Sequence, residues 1–187
     1  MKIKDVKDFV ILDFPSVRQS CNYTCSCSVT LACLYFYGVN LREGQVKRLM
    51  GIDKNTQEIH PIKIVRVLRH FELQAKIKRL TLNDLIRYIK MGRPVICNLQ
   101  AWSAAKVPNY NTDKNGHYAI AIGMDFNRKR IIFSDPSHFL KTFLSFSELE
   151  ARWHDGDPNK KNDYTHMSIV VGGKRKSYRS DKIIHMD

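Results

Sequence analysis

The sequence predicts an α+β fold in which a helical first half, organised around one central helix, packs on an antiparallel β-sheet formed by the second half. Three observations carry this expectation. Up to Met91, apolar residues recur at helical spacing and the runs end in glycine. From Pro94 onward they fall into short β-rich runs separated by turn formers. One helix near the start has no polar stripe, which places it inside the domain rather than on its surface. At 187 residues, with 43% hydrophobic and 26% charged, the chain is long enough for one substantial core and ordinary for a globular protein. The expected organisation is a single domain over residues 1–172 and a basic extension over 173–187.

The central helix is expected over residues 25–37, with Thr24 placed to cap it and Gly38 to end it. Val29, Leu31, Ala32, Leu34, Tyr35, Phe36 and Tyr37 surround its axis, and the three aromatics are expected in the core. Further helices are expected over 42–50, closed by Gly51; after Pro61, with Ile64, Val65, Leu68 and Phe71 on one face; and over 82–91, opened by Thr81 and stopped by Gly92. Alternation at Leu73, Ala75 and Ile77 fits an edge strand. Strands follow at 95–99, 117–124, 130–134 and 166–171, with one helix at 147–153 capped by Ser147 and ending against the sheet at Trp153. Residues 102–116 form a long polar loop over the sheet, of a length that marks either a functional lid or an unstructured segment. Within it, Trp102 and Tyr110 are read equally as substrate contacts or as anchors of the loop.

Several classes are excluded. The apolar start Phe9-Val10-Ile11-Leu12 is only four residues long before Asp13, too short for a secretion signal, and no later run spans a bilayer. Cys21, Cys25, Cys27, Cys33 and Cys97 are odd in number and unevenly crowded, which argues against a disulfide scaffold and for a reducing compartment. The expected location is therefore cytoplasmic, or outside the cell by a route without a cleavable signal peptide. No second ligand pair stands at zinc spacing, so neither metal nor cofactor is expected. The net charge of +13 is diffuse, densest at Lys174, Arg175, Lys176 and Arg179, and reads as a solvated surface rather than a nucleic-acid reading head. The sequence carries nothing that fixes an oligomeric state.

Four residues could do chemistry together. Cys25 opens the central helix, where unpaired amides and the macrodipole favour a thiolate; a small core hydrophobe is the bland alternative. His117 opens a strand and can serve as its base, or simply be a satisfied strand-end histidine. A hairpin of 117–124 with 130–134, turning near Phe126, would set His117 opposite Asp135, whose carboxylate could then fix the tautomer; alone, Asp135 before Pro136 reads as a turn initiator. Gln19, on the loop entering the helix, could aim an amide donor at an oxyanion, although an isolated glutamine would be surface filler.

These residues are familiar as a set. Gln19 six positions before Cys25, Gly116-His117-Tyr118 on a strand, and Ser134-Asp135-Pro136-Ser137 resemble the papain-like fold of bacteriocin-processing, double-glycine leader peptidases and their stand-alone relatives. Tyr23-Thr24-Cys25 and residues 146–155 resemble the stand-alone members, and the likeness runs from Pro15 to Val171. It implies a papain-like cysteine peptidase acting on a peptide or protein substrate, with Cys25, His117, Asp135 and Gln19 as site residues. The family carries glycine or a small pair directly after the nucleophile, whereas Ser26-Cys27 stands here, which makes Cys27 a rival. Two other functions share these features: transglutaminase- or deamidase-type acyl transfer at the same site, and a non-catalytic module binding a peptide or an anion.

Overall fold

The structure is a computed structural model that describes residues 8–53, 59–112, 115–156, 164–173 and 177–186. Its elements are β1 (Phe9–Ile11), α1 (Cys25–Phe36), α2 (Glu43–Met50), α3 (Pro61–His70), β2 (Gln74–Arg79), α4 (Leu82–Lys90), β3 (Val95–Gln100), β4 (Gly116–Asp125), β5 (Arg130–Ser134), β6 (Thr142–Ser145), α5 (Phe146–Arg152) and β7 (Met167–Gly172). The strands form one antiparallel sheet in the order β2-β7-β3-β4-β5-β6, with β1 added against the far end of β4. The expected α+β architecture is present, with β2 as the edge strand foreseen at Leu73 to Ile77.

Helix α1 is buried along almost its whole length. Only Cys25 and Tyr35 keep partial exposure, while Leu31, Leu34 and Phe36 are sealed. Side chains of that size each stabilise by roughly 1.5–3 kcal/mol when buried, so the helix is a rigid support for whatever stands at its start. It shares one core with α2, α3 and the sheet face carrying Ile96, Tyr118, Ile120 and Ile169. The opposite face is covered by α4 and α5, through Leu85, Ile89, Leu149 and Trp153 against Val95, Leu99, Ala119 and Phe133. Helices thus cover both faces, which explains why β3, β4 and β7 are buried nearly throughout instead of alternating.

Three local expectations are corrected. Helix α5 is capped by Ser145, not Ser147: Ser145 Oγ accepts from Glu148 N at 3.2 Å while Glu148 Oε2 accepts from Ser145 N at 2.9 Å. The Ser-x-x-Glu spacing of a capping box starts at Ser145, so the helix opens at Phe146. The β4–β5 hairpin closes at Asp125↔Arg130, and a bulge between Ala121 and Gly123 brings Ile120 opposite Ser134. His117 itself pairs with Leu99 of β3, and the continued β5 register would bring Asp135 level with Ala119 instead. The last strand starts at Met167, because His166 holds a left-handed φ of 57°.

Beyond Gly173, the backbone amides of Ser177 and Tyr178 both donate to Phe36 O, at 3.2 and 3.3 Å, at the end of α1. The basic run Lys174 to Lys176 lies outside the described residues. Among the described residues no helix is long and apolar enough to cross a membrane.

Candidate active site

Cys25 is the first residue of α1, and the turn that presents it is locked from behind. The Thr24 hydroxyl donates to Cys21 O at 3.0 Å and accepts from Cys21 N at 3.2 Å. The expected side-chain cap is therefore absent: Thr24 folds the preceding turn, and the first-turn amides of α1 take no bond from its hydroxyl. The backbone amides of Ser26 and Tyr118 point at the Cys25 sulfur. The thiol is half-buried, neither sealed in the core nor fully exposed.

His117 stands at the start of β4 and is buried. Its Nε2 lies 2.9 Å from Asp135 Oδ1, and the ring hydrogen-bonds the Cys25 thiol, which falls to its remaining nitrogen, Nδ1. The two-residue offset in hairpin register does not separate the pair, because an even shift keeps both side chains on one face and a diagonal neighbour is within reach of long side chains. Asp135 accepts three further bonds: from Ser137 N to Oδ1 at 2.8 Å, from Trp102 Nε1 to Oδ2 at 2.9 Å, and from the Thr142 hydroxyl to Oδ2 at 3.3 Å.

Electrostatics follow from these contacts. Burial pushes the Cys25 thiol up, but the hydrogen bond and charge of His117, helped by the two amides, outweigh it and leave the thiol more acidic than usual. Burial likewise opposes charge on His117, yet its bonds to Asp135 and Cys25 raise it to about 9. Burial also acts against the Asp135 carboxylate, and His117, Ser137 N and Trp102 together hold it below the ordinary range. The arrangement favours a thiolate beside an imidazolium. Cys27 is fully buried and its thiol is pushed up to about 12 by burial and by Glu43, which disfavours a thiolate there. Cys97, also buried, is pushed up to about 12.

Gln19 is half-buried on the entry loop, and its backbone amide donates to Pro136 O at 2.9 Å, one residue beyond Asp135. Its side-chain Oε1 is buried without a hydrogen-bond partner among the described residues. In the same set of residues, no group of three or more histidine, cysteine or acidic side chains is placed to hold a metal ion.

The profile of the Peptidase_C39 like family matches residues 11–170 of this chain, most of its length. The chain belongs to the peptidase C39-like family. Membership makes it a cysteine peptidase rather than a binding module. No curated protein matches it. Among solved structures, it shares its fold with the peptidase domain of Streptococcus ComA, a bifunctional ABC transporter of a quorum-sensing pathway. The two are 17% identical with a TM-score of 0.62, covering 85% of this chain and 98% of that one. A C39-like peptidase from Bacillus anthracis gives 13% identity and a TM-score of 0.64 over 90% and 99% of the two chains. A double glycine motif protease from the AMS/PCAT transporter, solved in complex with the leader peptide, gives 14% and 0.56 over 87% and 93%.

In this C39-like peptidase the long loop is anchored at both readings' residues. Tyr110 O is bonded by His154 Nε2 at 2.8 Å, and the Arg152 guanidinium lies 4.0 Å from the Tyr110 ring centre. Trp102, read from sequence only as a contact or an anchor, is bonded to Asp135 itself, a link that no sequence spacing signals. Gly116 has a steric reason to be glycine: a Cβ there would stand 2.6 Å from both Asp155 carboxylate oxygens. That carboxylate is held by Gln100 Nε2 at 3.0 Å and Gly156 N at 2.9 Å, so it does not retreat freely. Gly116→Ala is expected to destabilise by about 1–3 kcal/mol and to slow turnover by displacing His117. Urea denaturation alongside a turnover assay checks both, and an unchanged midpoint would mean that Asp155 swings aside.

Proposed function

We propose that this chain hydrolyses a peptide bond through Cys25 as nucleophile, His117 as acid and base, Asp135 as the orienting carboxylate and Gln19 as an oxyanion donor. The observation that carries the reading is His117 held between the half-buried Cys25 thiol and the Asp135 carboxylate 2.9 Å away. On this reading the Cys25 thiolate attacks the carbonyl carbon and the C=O electron pair moves onto oxygen. That oxyanion meets the backbone N–H of Cys25 and the side-chain N–H of Gln19, a type of donor that contributes about 3 kcal/mol. The tie from Gln19 N to Pro136 O supports this reading, since it holds the loop carrying Gln19 beside the turn that carries Asp135. The imidazolium gives its proton to the leaving amine, the C–N bond breaks and a thioester remains. Neutral His117 then takes a proton from water, whose oxygen displaces the sulfur and releases the acid. Asp135 keeps its charge throughout and fixes the ring.

Because a structural neighbour, a double glycine motif protease, was solved with its leader peptide, a leader-like peptide with Gly-Gly before the scissile bond is the first substrate to offer on the bacteriocin-processing reading. Mass spectrometry after incubation is the test. Two fragments are the expected outcome; a cross-linked product or a gain of about one dalton would reassign the thioester to acyl transfer or deamidation. Cys25→Ala is expected to abolish conversion while Cys27→Ala retains it, and cleavage persisting without Cys25 would overturn the reading.

A further inference from the structure

We infer that Trp102 is a positioning residue of the site, its indole N–H fixing the Asp135 carboxylate and, through it, the His117 ring. The inference rests on the triad proposed above and assigns a role to a residue outside it. Asp135 needs two constraints to aim Oδ1 at His117: one on Oδ1, supplied by Ser137 N, and one on Oδ2 to stop rotation about the Cβ–Cγ bond. The Oδ2 constraint is Trp102 Nε1 at 2.9 Å, with Thr142 Oγ1 contributing a longer bond at 3.3 Å. An indole donates and never accepts, so this contact is stronger to the ionised carboxylate than to the protonated acid.

Ordinary packing does not place the indole. Trp102 is 49% exposed, and a cavity of about 230 Å³ lies against it, walled by Leu99, Ala119, Phe133 and Leu144 and shared with Asp135. Its backbone sits at a φ of 57°, a left-handed conformation that a bulky residue rarely adopts and that persists only where surrounding contacts over-determine it. Two contacts do so: the bond to Asp135 and the stack on the His138 ring, with centroids 4.3 Å apart. His138 is itself tied to the same corner through its N–H on Asp135 O at 3.1 Å. The loop after β3 and the turn after β5 are therefore clamped together at the carboxylate. The Trp102 bond also helps to hold Asp135 ionised. The titratable and charged groups around this corner are His117 and, beyond it, Cys25 on the site side, His138 across the indole, and Glu148 and Arg152, paired at 3.3 Å, at the far wall of the cavity.

The test compares the full chain with Trp102→Phe, which keeps the ring and its stack but deletes the N–H, and with Thr142→Val, which deletes the weaker donor to the same oxygen. Two readouts are taken: alkylation of Cys25 by iodoacetamide, followed by mass spectrometry between about pH 4 and pH 9, and kcat and KM on the peptide whose cleavage requires Cys25. Trp102→Phe is expected to lower kcat about tenfold with KM within roughly twofold. Its acid limb should move upward by about half a pH unit or more, because a less firmly held Asp135 lets the His117 ring turn and the imidazolium then supports the thiolate less well. Thr142→Val should move the limb the same way by less. A rise in KM alone would make the indole a substrate shelf and overturn the inference, as would an unmoved acid limb. If Trp102→Phe does not fold, an unmoved limb in Thr142→Val overturns it equally. Cleavage that survives Cys25→Ala sinks the triad itself; Cys25-dependent cleavage unaffected by Trp102→Phe sinks only this inference.

Discussion

Asp135→Asn is expected to lower kcat by about 10²- to 10⁴-fold, although asparagine is nearly the same size and shape. The reason is that all four partners of the carboxylate donate: His117 Nε2 and Ser137 N to one oxygen, Trp102 Nε1 and Thr142 Oγ1 to the other. A backbone amide and an indole cannot reverse that role. Asparagine offers one oxygen and one NH2, so each of its two orientations sets a donor against a donor. With NH2 toward His117, the Ser137 amide loses its acceptor. The ring must then accept at Nε2, which puts its single proton on the nitrogen facing Cys25 and forbids the imidazolium. With NH2 toward Trp102, the indole N–H faces a second donor, and an unmatched buried donor costs about 1–3 kcal/mol. Turnover on a cleaved peptide and a urea midpoint measured together should both fall. Wild-type kcat in this variant would mean that the carboxylate does not orient His117.

The fold was legible where local rules decide it. Glycines 38, 51 and 92 end helical runs in the sequence and all hold left-handed φ at or just beyond helix ends in the structure. The apolar circumference of α1 marked a central helix because burial on every side leaves no room for a polar stripe. What failed was register. The hairpin turns between Asn127 and Arg128 rather than about Phe126, which would set Asp135 three positions from His117, and the bulge at Ala121/Gly123 takes one of those positions back. His117 and Asp135 still meet because the resulting offset is even and preserves the face, so the juxtaposition was right while the pairing behind it was not. Strands β1 and β6 are three and four residues long, too short for alternation to register. Thr24 illustrates a competition that sequence leaves open, since a hydroxyl before a helix can bond forward to its amides or back into the preceding turn, and here the Cys21 carbonyl takes it. The Trp102 bond to Asp135 joins two loops 33 positions apart and is a product of tertiary structure alone.

His117→Ala is expected to reverse the character of Cys25 rather than merely weaken it. The strongest single influence on that thiol is burial, which opposes ionisation; the hydrogen bond and charge of His117 overcome it, and the amides of Tyr118 and Ser26 add to them. With the imidazole gone, burial faces only the two amides, and the thiol moves from more acidic than a free cysteine to less. A free cysteine is only a few per cent ionised at neutral pH, so alkylation by iodoacetamide at pH 7 should fall by about 10²-fold, with turnover lost to a similar degree or more. The same substitution changes how stability depends on pH. His117 is raised from 6.5 to about 9 on folding, so in the wild type its protonation stabilises the fold fully below pH 6.5, and this contribution is lost as pH rises through about 9. Cys25 has the opposite sign: its depressed pKa contributes stability above the ordinary thiol range, and that is lost as pH falls through the folded value. Between pH 6.5 and pH 9 the two contributions oppose each other, so urea midpoints in the wild type should differ little across that window, and the rise with pH that Cys25 confers through its folded range should be lost in His117→Ala. The wild-type alkylation profile should show a thiolate already formed well below the ordinary thiol range, with a change near pH 9 as the imidazolium loses its proton. If alkylation of Cys25 at pH 7 is as fast without the imidazole as with it, the helix start alone sustains the thiolate, and His117 has no part in generating the nucleophile.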